Sequence, residues 1–92
     1  MITLPIKKIW FDMILSGEKK EEYRSLTPRY KSMFKNAADE NNRFWCIIRN
    51  GYSLQSPSAK IYVQYHIGTG KTKWGAEPNK QYFVLSILDI EK

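Results

Sequence analysis

The stretch GEKKEEYR, residues 17–24, lies where a short helical pattern gives way to an extended one. The preceding residues 10–16, WFDMILS, repeat apolar side chains at helical spacing, and a glycine directly after such a pattern is a common helix stop. In the extended segment that follows Gly17, alternate side chains share a face. The carboxylate of Glu22 and the guanidinium of Arg24 are therefore predicted to lie side by side.

The rest of the chain is typical of strands with one further helix. The predicted elements are an extended segment over 2–9, a helix over about 8–16, a strand over 19–25, a helix that begins at 27–28, and strands over 43–49, 59–67 and 82–90. The second helix has Thr27 as its N-cap and Pro28 in its first position. Residues 59–67 alternate, with Ile67 on the apolar face, whereas 82–90 are apolar on both faces and are predicted to form a buried central strand.

Length and composition limit the class of protein. Ninety-two residues, 42% of them hydrophobic, suffice for one core but not for two, so we expect a single domain over residues 1–92. The predicted elements indicate an α+β domain with a small, strongly curved sheet. The single cysteine, Cys46, excludes an internal disulfide, and with one histidine in the chain we expect no metal and no cofactor. No signal peptide or membrane-spanning run is visible, so we expect a cytoplasmic protein without a membrane partner.

Positive charge is concentrated in the middle of the chain. The formal charge is +6, but residues 24–76 alone carry nine Lys or Arg against Asp39 and Glu40, which gives +7. A field of this kind attracts polyanions such as nucleic acid. The alternative is a solvated, lysine-rich surface without a ligand.

The charges of residues 17–24 also allow two interpretations. Opposite charges clustered directly after a helix end could bind an anion or hold a polarised water molecule. They could equally form weak ion pairs on the surface. The residue types alone leave both open.

A glycine-rich basic loop, GTGKT, occupies residues 68–72. It lacks the first glycine of a Walker phosphate-binding loop and no helix start follows it, which excludes that kind of nucleotide site. Its backbone N–H groups and Lys71 could still contact phosphate. Trp74 and Tyr52 stand in loops beside glycines, and we predict that they are exposed and able to stack on bases.

The spacing Gly-x-Lys-x-x-Glu-x-Arg after WFDMILS resembles the motif of the ASCH family, which is related to the PUA domains of RNA-modifying proteins. The later segments IGTG at 67–70, WGAEP at 74–78 and YFVL at 82–85 resemble small phage and bacterial members, so the resemblance covers nearly the whole chain. It implies a PUA-like small β-barrel of about five strands with two short helices. It also implies a cleft beside the motif that binds RNA or a nucleotide.

The leading hypothesis from this resemblance is a binding module for RNA or a modified nucleotide. Gly17 would shape the entrance of the cleft, while Lys19 and Arg24 would contact phosphate or a base edge. Glu22 would accept a hydrogen bond from a base amino group, and Trp74 would stack on a base.

Two other functions stay open. Some small ASCH proteins are amidohydrolases that remove acyl groups from modified cytidine with the motif lysine, a threonine and a later glutamate. Lys19 matches that lysine and Glu77 could match the later glutamate, but Glu22 replaces the threonine. A nucleoside hydrolase or ribonuclease here would therefore activate water with Lys19, Glu22 and Glu77. The third hypothesis is a phage-type inhibitor whose basic face binds a protein partner, and the oligomeric state is not predicted.

Overall fold

The structure is a computed structural model that describes residues 1–91. Its elements are β1 (Thr3–Ile6), α1 (Lys8–Leu15), β2 (Glu21–Arg24), α2 (Pro28–Ala37), β3 (Arg43–Asn50), β4 (Ser58–Thr69), a 3-10 turn (Thr72–Trp74) and β5 (Gln81–Glu91). The predicted helices and strands are confirmed in type and order, with small shifts of their bounds. Neither α-helix in the described part of the chain is long and apolar enough to cross a bilayer.

The five strands form one mixed sheet in the order β1-β3-β4-β5-β2. β1 runs parallel to β3, and the other neighbours are antiparallel. The sheet curls into a half-barrel, and Arg24 of β2 reaches the opposite edge strand, where its Nη2 donates to the Pro5 carbonyl at 2.9 Å. Pro5 is tolerated in β1 because an edge strand does not need every N–H for the ladder. The α+β class and the curved sheet are therefore confirmed.

The helices supply apolar side chains to the concave side of the sheet. Phe34 of α2 is fully buried, and its ring centroid lies between 5.4 and 5.6 Å from those of Phe44, Tyr65 and Phe83. The Thr27 hydroxyl accepts a hydrogen bond from the N–H of Tyr30 at 3.2 Å and caps α2 as predicted. From α1, Phe11 and Ile14 complete this core.

Two details of the strand predictions are wrong. β4, and not β5, is the central strand, and β5 is buried on both faces only over residues 82–85. Its partner β2 begins at Glu21, opposite Ser86, and Leu88 beyond this pairing is 47% exposed. Ile67 is 57% exposed, although it pairs with the core residue Phe83, and it borders an open groove with Leu26 and Lys31.

Candidate functional site

The turn after α1 directs Lys19 into the protein. Gly17 adopts a left-handed conformation with φ of 85°, which is unfavourable for a residue with a side chain. Its N–H donates to the Ile14 carbonyl at 3.1 Å, and the N–H of Lys19 donates to the Met13 carbonyl at 2.9 Å. As a result Lys19 is 1% exposed and is the largest fully buried side chain among residues 1–91.

The Lys19 ammonium makes two hydrogen bonds and one ion pair within the protein. Nζ donates to the carbonyl oxygens of Glu21 at 2.6 Å and Trp74 at 2.8 Å, and it lies 3.2 Å from Oε1 of Glu22. Burial lowers the pKa of Lys19, and attraction to Glu22 opposes this effect. In this arrangement Lys19 holds protein groups together, and its burial separates the ammonium from solvent.

Glu22 joins Lys19 to Arg24. Its Oε2 lies 2.8 Å from Nη2 of Arg24, and the two side chains are 9% and 13% exposed. Arg24 also donates to the Tyr30 hydroxyl at 3.2 Å, while its Nε has no partner within residues 1–91. The shared face of Glu22 and Arg24 is confirmed, but these are buried ion pairs rather than weak surface ones. We call Lys19, Glu22 and Arg24 the charge triad.

The glycine-rich loop packs against the charge triad through Tyr23. The Tyr23 hydroxyl accepts from the N–H of Lys71 at 2.9 Å and donates to Oε1 of Glu21 at 2.7 Å. Burial raises the pKa of this hydroxyl, so it stays protonated at neutral pH. A Cβ on Gly70 would lie 2.6 Å from the Tyr23 ring and 2.7 Å from Cβ of Ala76. Only glycine therefore allows the loop to approach this closely.

Lys19 is enclosed by the Trp10 ring of α1 and by the backbone of Trp74, which follows the glycine-rich loop. The Trp10 ring centroid lies 5.3 Å from Nζ of Lys19, and a Cβ on Gly75 would approach that ring to 3.0 Å. Trp74 supplies the carbonyl that accepts from Lys19. The two sequence segments that carry the family resemblance thus meet around one buried ammonium group.

Replacing Gly70 with alanine tests the close contact between the glycine-rich loop and the Tyr23 ring. We expect a loss of about 1–3 kcal/mol in the free energy of unfolding, because the new methyl group must displace the Tyr23 ring or the loop. Urea unfolding followed by circular dichroism would measure it. Gly68→Ala is the matched control, since its Cβ would meet the exposed His66 side chain at 3.3 Å and Cγ2 of Val84 at an ordinary contact distance of 4.0 Å. Equal stability of the two variants would contradict the close packing.

The remaining predicted site residues lie outside the charge triad. Trp74 is 6% exposed, so the prediction of an exposed ring is wrong; the 3-10 turn folds it inward. The Nζ atoms of Lys71 and Lys73 lie 5.2 and 4.8 Å from the Trp74 ring centroid and cover it. Glu77 is 70% exposed and pairs with Lys80 at 3.1 Å. Among the described residues, no ion pair or hydrogen bond joins Glu77 to the charge triad.

The only cysteine of the chain, Cys46, lies on the inner face of β3 and is fully buried. Burial raises the pKa of its thiol to about 12. The thiol is therefore protonated at neutral pH and packs as a small apolar group, as its sequence context predicts. No group of three His, Cys, Asp or Glu that could hold a metal ion occurs within residues 1–91.

A cleft of about 500 Å³ opens beside the charge triad, between the edge strands β1 and β2. Its lining residues are Pro5, Ile6, Lys7, Trp10, Glu22, Arg24, Asn50, Gly51 and Tyr52. Tyr52 is 90% exposed, which confirms the prediction for this ring. Sequence reasoning missed Lys7 and Asn50, because only the pairing of Ile6 with Asn50 in the parallel ladder brings them together.

Comparisons of this chain with protein-family models, curated proteins and solved structures gave no match. Its function is therefore inferred from the charge triad and the cleft.

Proposed function

We propose that this protein is an ASCH-type, PUA-like domain that binds RNA or a free nucleotide, with one base in the cleft between β1 and β2. The observation that carries the proposal is that one cavity is lined by two aromatic residues, an acid and a lysine: Trp10, Tyr52, Glu22 and Lys7. Its volume is within the usual range for small-molecule sites. The meeting of both family-like segments at Lys19 supports the ASCH assignment.

Each lining group suits a different part of a nucleotide. A carboxylate has about four acceptor positions, so Glu22 can bond Lys19 and Arg24 and still accept from a base amino group. Aromatic rings at the cleft provide stacking surfaces for the base. Lys7 is exposed at the rim, where an ammonium group can contact phosphate.

We propose binding rather than hydrolysis because the groups required for water activation are separated or occupied. The Lys19 ammonium is buried, donates hydrogen bonds to two backbone carbonyls and pairs with Glu22, so its contacts are all with the protein. Glu77 is exposed and paired with Lys80. Before Lys19, Glu22 and Glu77 could activate a water molecule together, the contacts of the Lys19 ammonium and the ion pair between Glu77 and Lys80 would have to break.

The test compares two matched pairs of variants. Lys7 and Lys8 are adjacent and exposed, but only Lys7 lines the cleft, whereas Lys8 pairs with Asp12 at 2.6 Å. Tyr52 and Leu54 are exposed in the same loop, but only Tyr52 lines the cleft. We expect Tyr52→Ala to weaken the binding of AMP or CMP by about tenfold, through lost stacking.

In the same titrations, followed by NMR chemical shifts, Lys7→Ala should also weaken binding, while Lys8→Ala and Leu54→Ala should match the wild type. Affinity for a fluorescein-labelled single-stranded RNA should fall as salt rises, because phosphate contacts release counterions. Absence of nucleotide and RNA binding at low salt would contradict the proposal. Conversion of an acylated cytidine to cytidine would instead favour the hydrolase.

A further inference from the structure

An aromatic pair lies on the convex face of the half-barrel, away from the core. Trp45 of β3 and Tyr62 of β4 are direct cross-strand partners, with ring centroids 5.1 Å apart and ring planes inclined by 34°. Both are half-buried, and neither packs against the core formed by the inward-facing Phe44, Cys46 and their neighbours. Core-facing residues of both helices lie on the opposite side of the sheet. Both rings therefore retain surface that is accessible to a ligand.

Three cations lie on the same two strands as this pair. Arg43 and Arg49 share the outward face of β3 with Trp45, because strand side chains repeat every two residues. Lys60 lies on β4, two positions before Tyr62. None of the three cations takes part in an ion pair within residues 1–91.

Acidic groups occupy only one side of this face. Asp89 and Glu91 of β5 are the cross-strand partners of Tyr62 and Lys60. The β3 side carries Arg43 and Arg49 without a carboxylate between them. A polyanion is therefore expected to follow β3 rather than β5.

We propose that Trp45, Tyr62, Arg43, Arg49 and Lys60, the convex platform, form a second binding surface for single-stranded RNA. Exposed ring surface for stacking, combined with cations for the backbone, is the combination by which proteins hold unpaired strands. The choice of RNA as ligand rests on the proposed function.

The convex platform also leads to the cleft. β3 ends at Asn50, which lines the cleft with Gly51. Trp45 precedes Asn50 by five residues, which corresponds to about 17 Å along a strand. One RNA strand can thus stack on the convex platform and place a further base in the cleft.

The alternative is that Trp45 and Tyr62 only stabilise the sheet, as cross-strand aromatic pairs commonly do. Tyr62→Leu and Tyr62→Phe distinguish these roles, because leucine keeps apolar bulk but has no ring, while phenylalanine keeps the ring. The probe is a fluorescein-labelled uridine RNA of about twelve nucleotides, within the usual site sizes for single strands. Fluorescence anisotropy measures its affinity, and AMP titration by NMR measures the cleft separately.

We expect Tyr62→Leu to weaken RNA binding by about tenfold and Tyr62→Phe to stay within about twofold of the wild type. AMP affinity should be unchanged in both, with thermal denaturation confirming that each variant is folded. Equal RNA affinity of Tyr62→Leu and wild type would overturn the convex platform, as would wild-type protein that binds AMP but not RNA. RNA binding that depends on Tyr62 but not on Tyr52 would support the convex platform and contradict the cleft.

Discussion

Lys19→Met is expected to destabilise the protein by about 3–5 kcal/mol, the range found when one partner of a buried ion pair is removed. Methionine keeps most of the side-chain volume but has no proton to donate. The carbonyl oxygens of Glu21 and Trp74 would then lose their buried donor, and Glu22 would lose one of its two cations. Unsatisfied buried groups are destabilising because they have already lost their hydrogen bonds to water.

Thermal denaturation followed by circular dichroism measures this effect, which corresponds to a decrease in Tm of roughly 15 °C or more for a chain of this size. Lys8→Met is the control, since Lys8 and Asp12 form an exposed ion pair whose loss should leave Tm nearly unchanged. A Tm for Lys19→Met within a few degrees of the wild type would show that the packing of the loop that contains Trp74 does not depend on the buried Lys19 ammonium.

Phe34→Ala is expected to reduce the free energy of unfolding by about 3–5 kcal/mol, because it leaves a large cavity at the centre of the core. Phe34 is fully buried and is surrounded by Phe44, Tyr65, Phe83 and the stacked ring of Tyr30, 5.5 Å away. Urea unfolding measures the loss. Met33→Ala, one residue earlier and only half-buried, should have a clearly smaller effect.

The buried Cys46 thiol offers a second measurement for Phe34→Ala. A pKa of about 12 and complete burial protect this thiol in the native state, so it should react with a thiol reagent only when the core opens. We expect faster labelling in Phe34→Ala than in Met33→Ala at neutral pH. Equal labelling rates would contradict the central position of Phe34 in the core.

Local sequence signals predicted most of the secondary structure. The glycine after α1, the Thr27-Pro28 start of α2 and the alternation of β4 depend on near neighbours, and the structure contains each of them. The parallel pairing of β1 with β3 left no such signal, because it depends on how the sheet curls. The sequence did not predict the cleft for the same reason, because its lining comes from both edge strands of the sheet.

The site was harder to predict than the fold. The motif indicated that Glu22 and Arg24 share a face, but the direction of Lys19 depends on the backbone bend after Gly17, which strand periodicity cannot describe. Trp74 stands in a stretch that is typical of an exposed turn. The 3-10 turn folds its ring inward, and its carbonyl accepts from Lys19, 55 residues earlier in the chain, a contact that no local pattern indicates.

The parallel ladder between β1 and β3 also constrains the order in which the chain can fold. Thr3 pairs with Ile47, so β1 leaves the ribosome well before the strand that it must join. During this interval β1 is an unpaired apolar strand, of the kind that can associate with other chains. Pro5 reduces that risk, because a strand without one of its N–H groups is a poor template for pairing. The residue that accepts the hydrogen bond from Arg24 in the finished fold thus also protects the nascent chain.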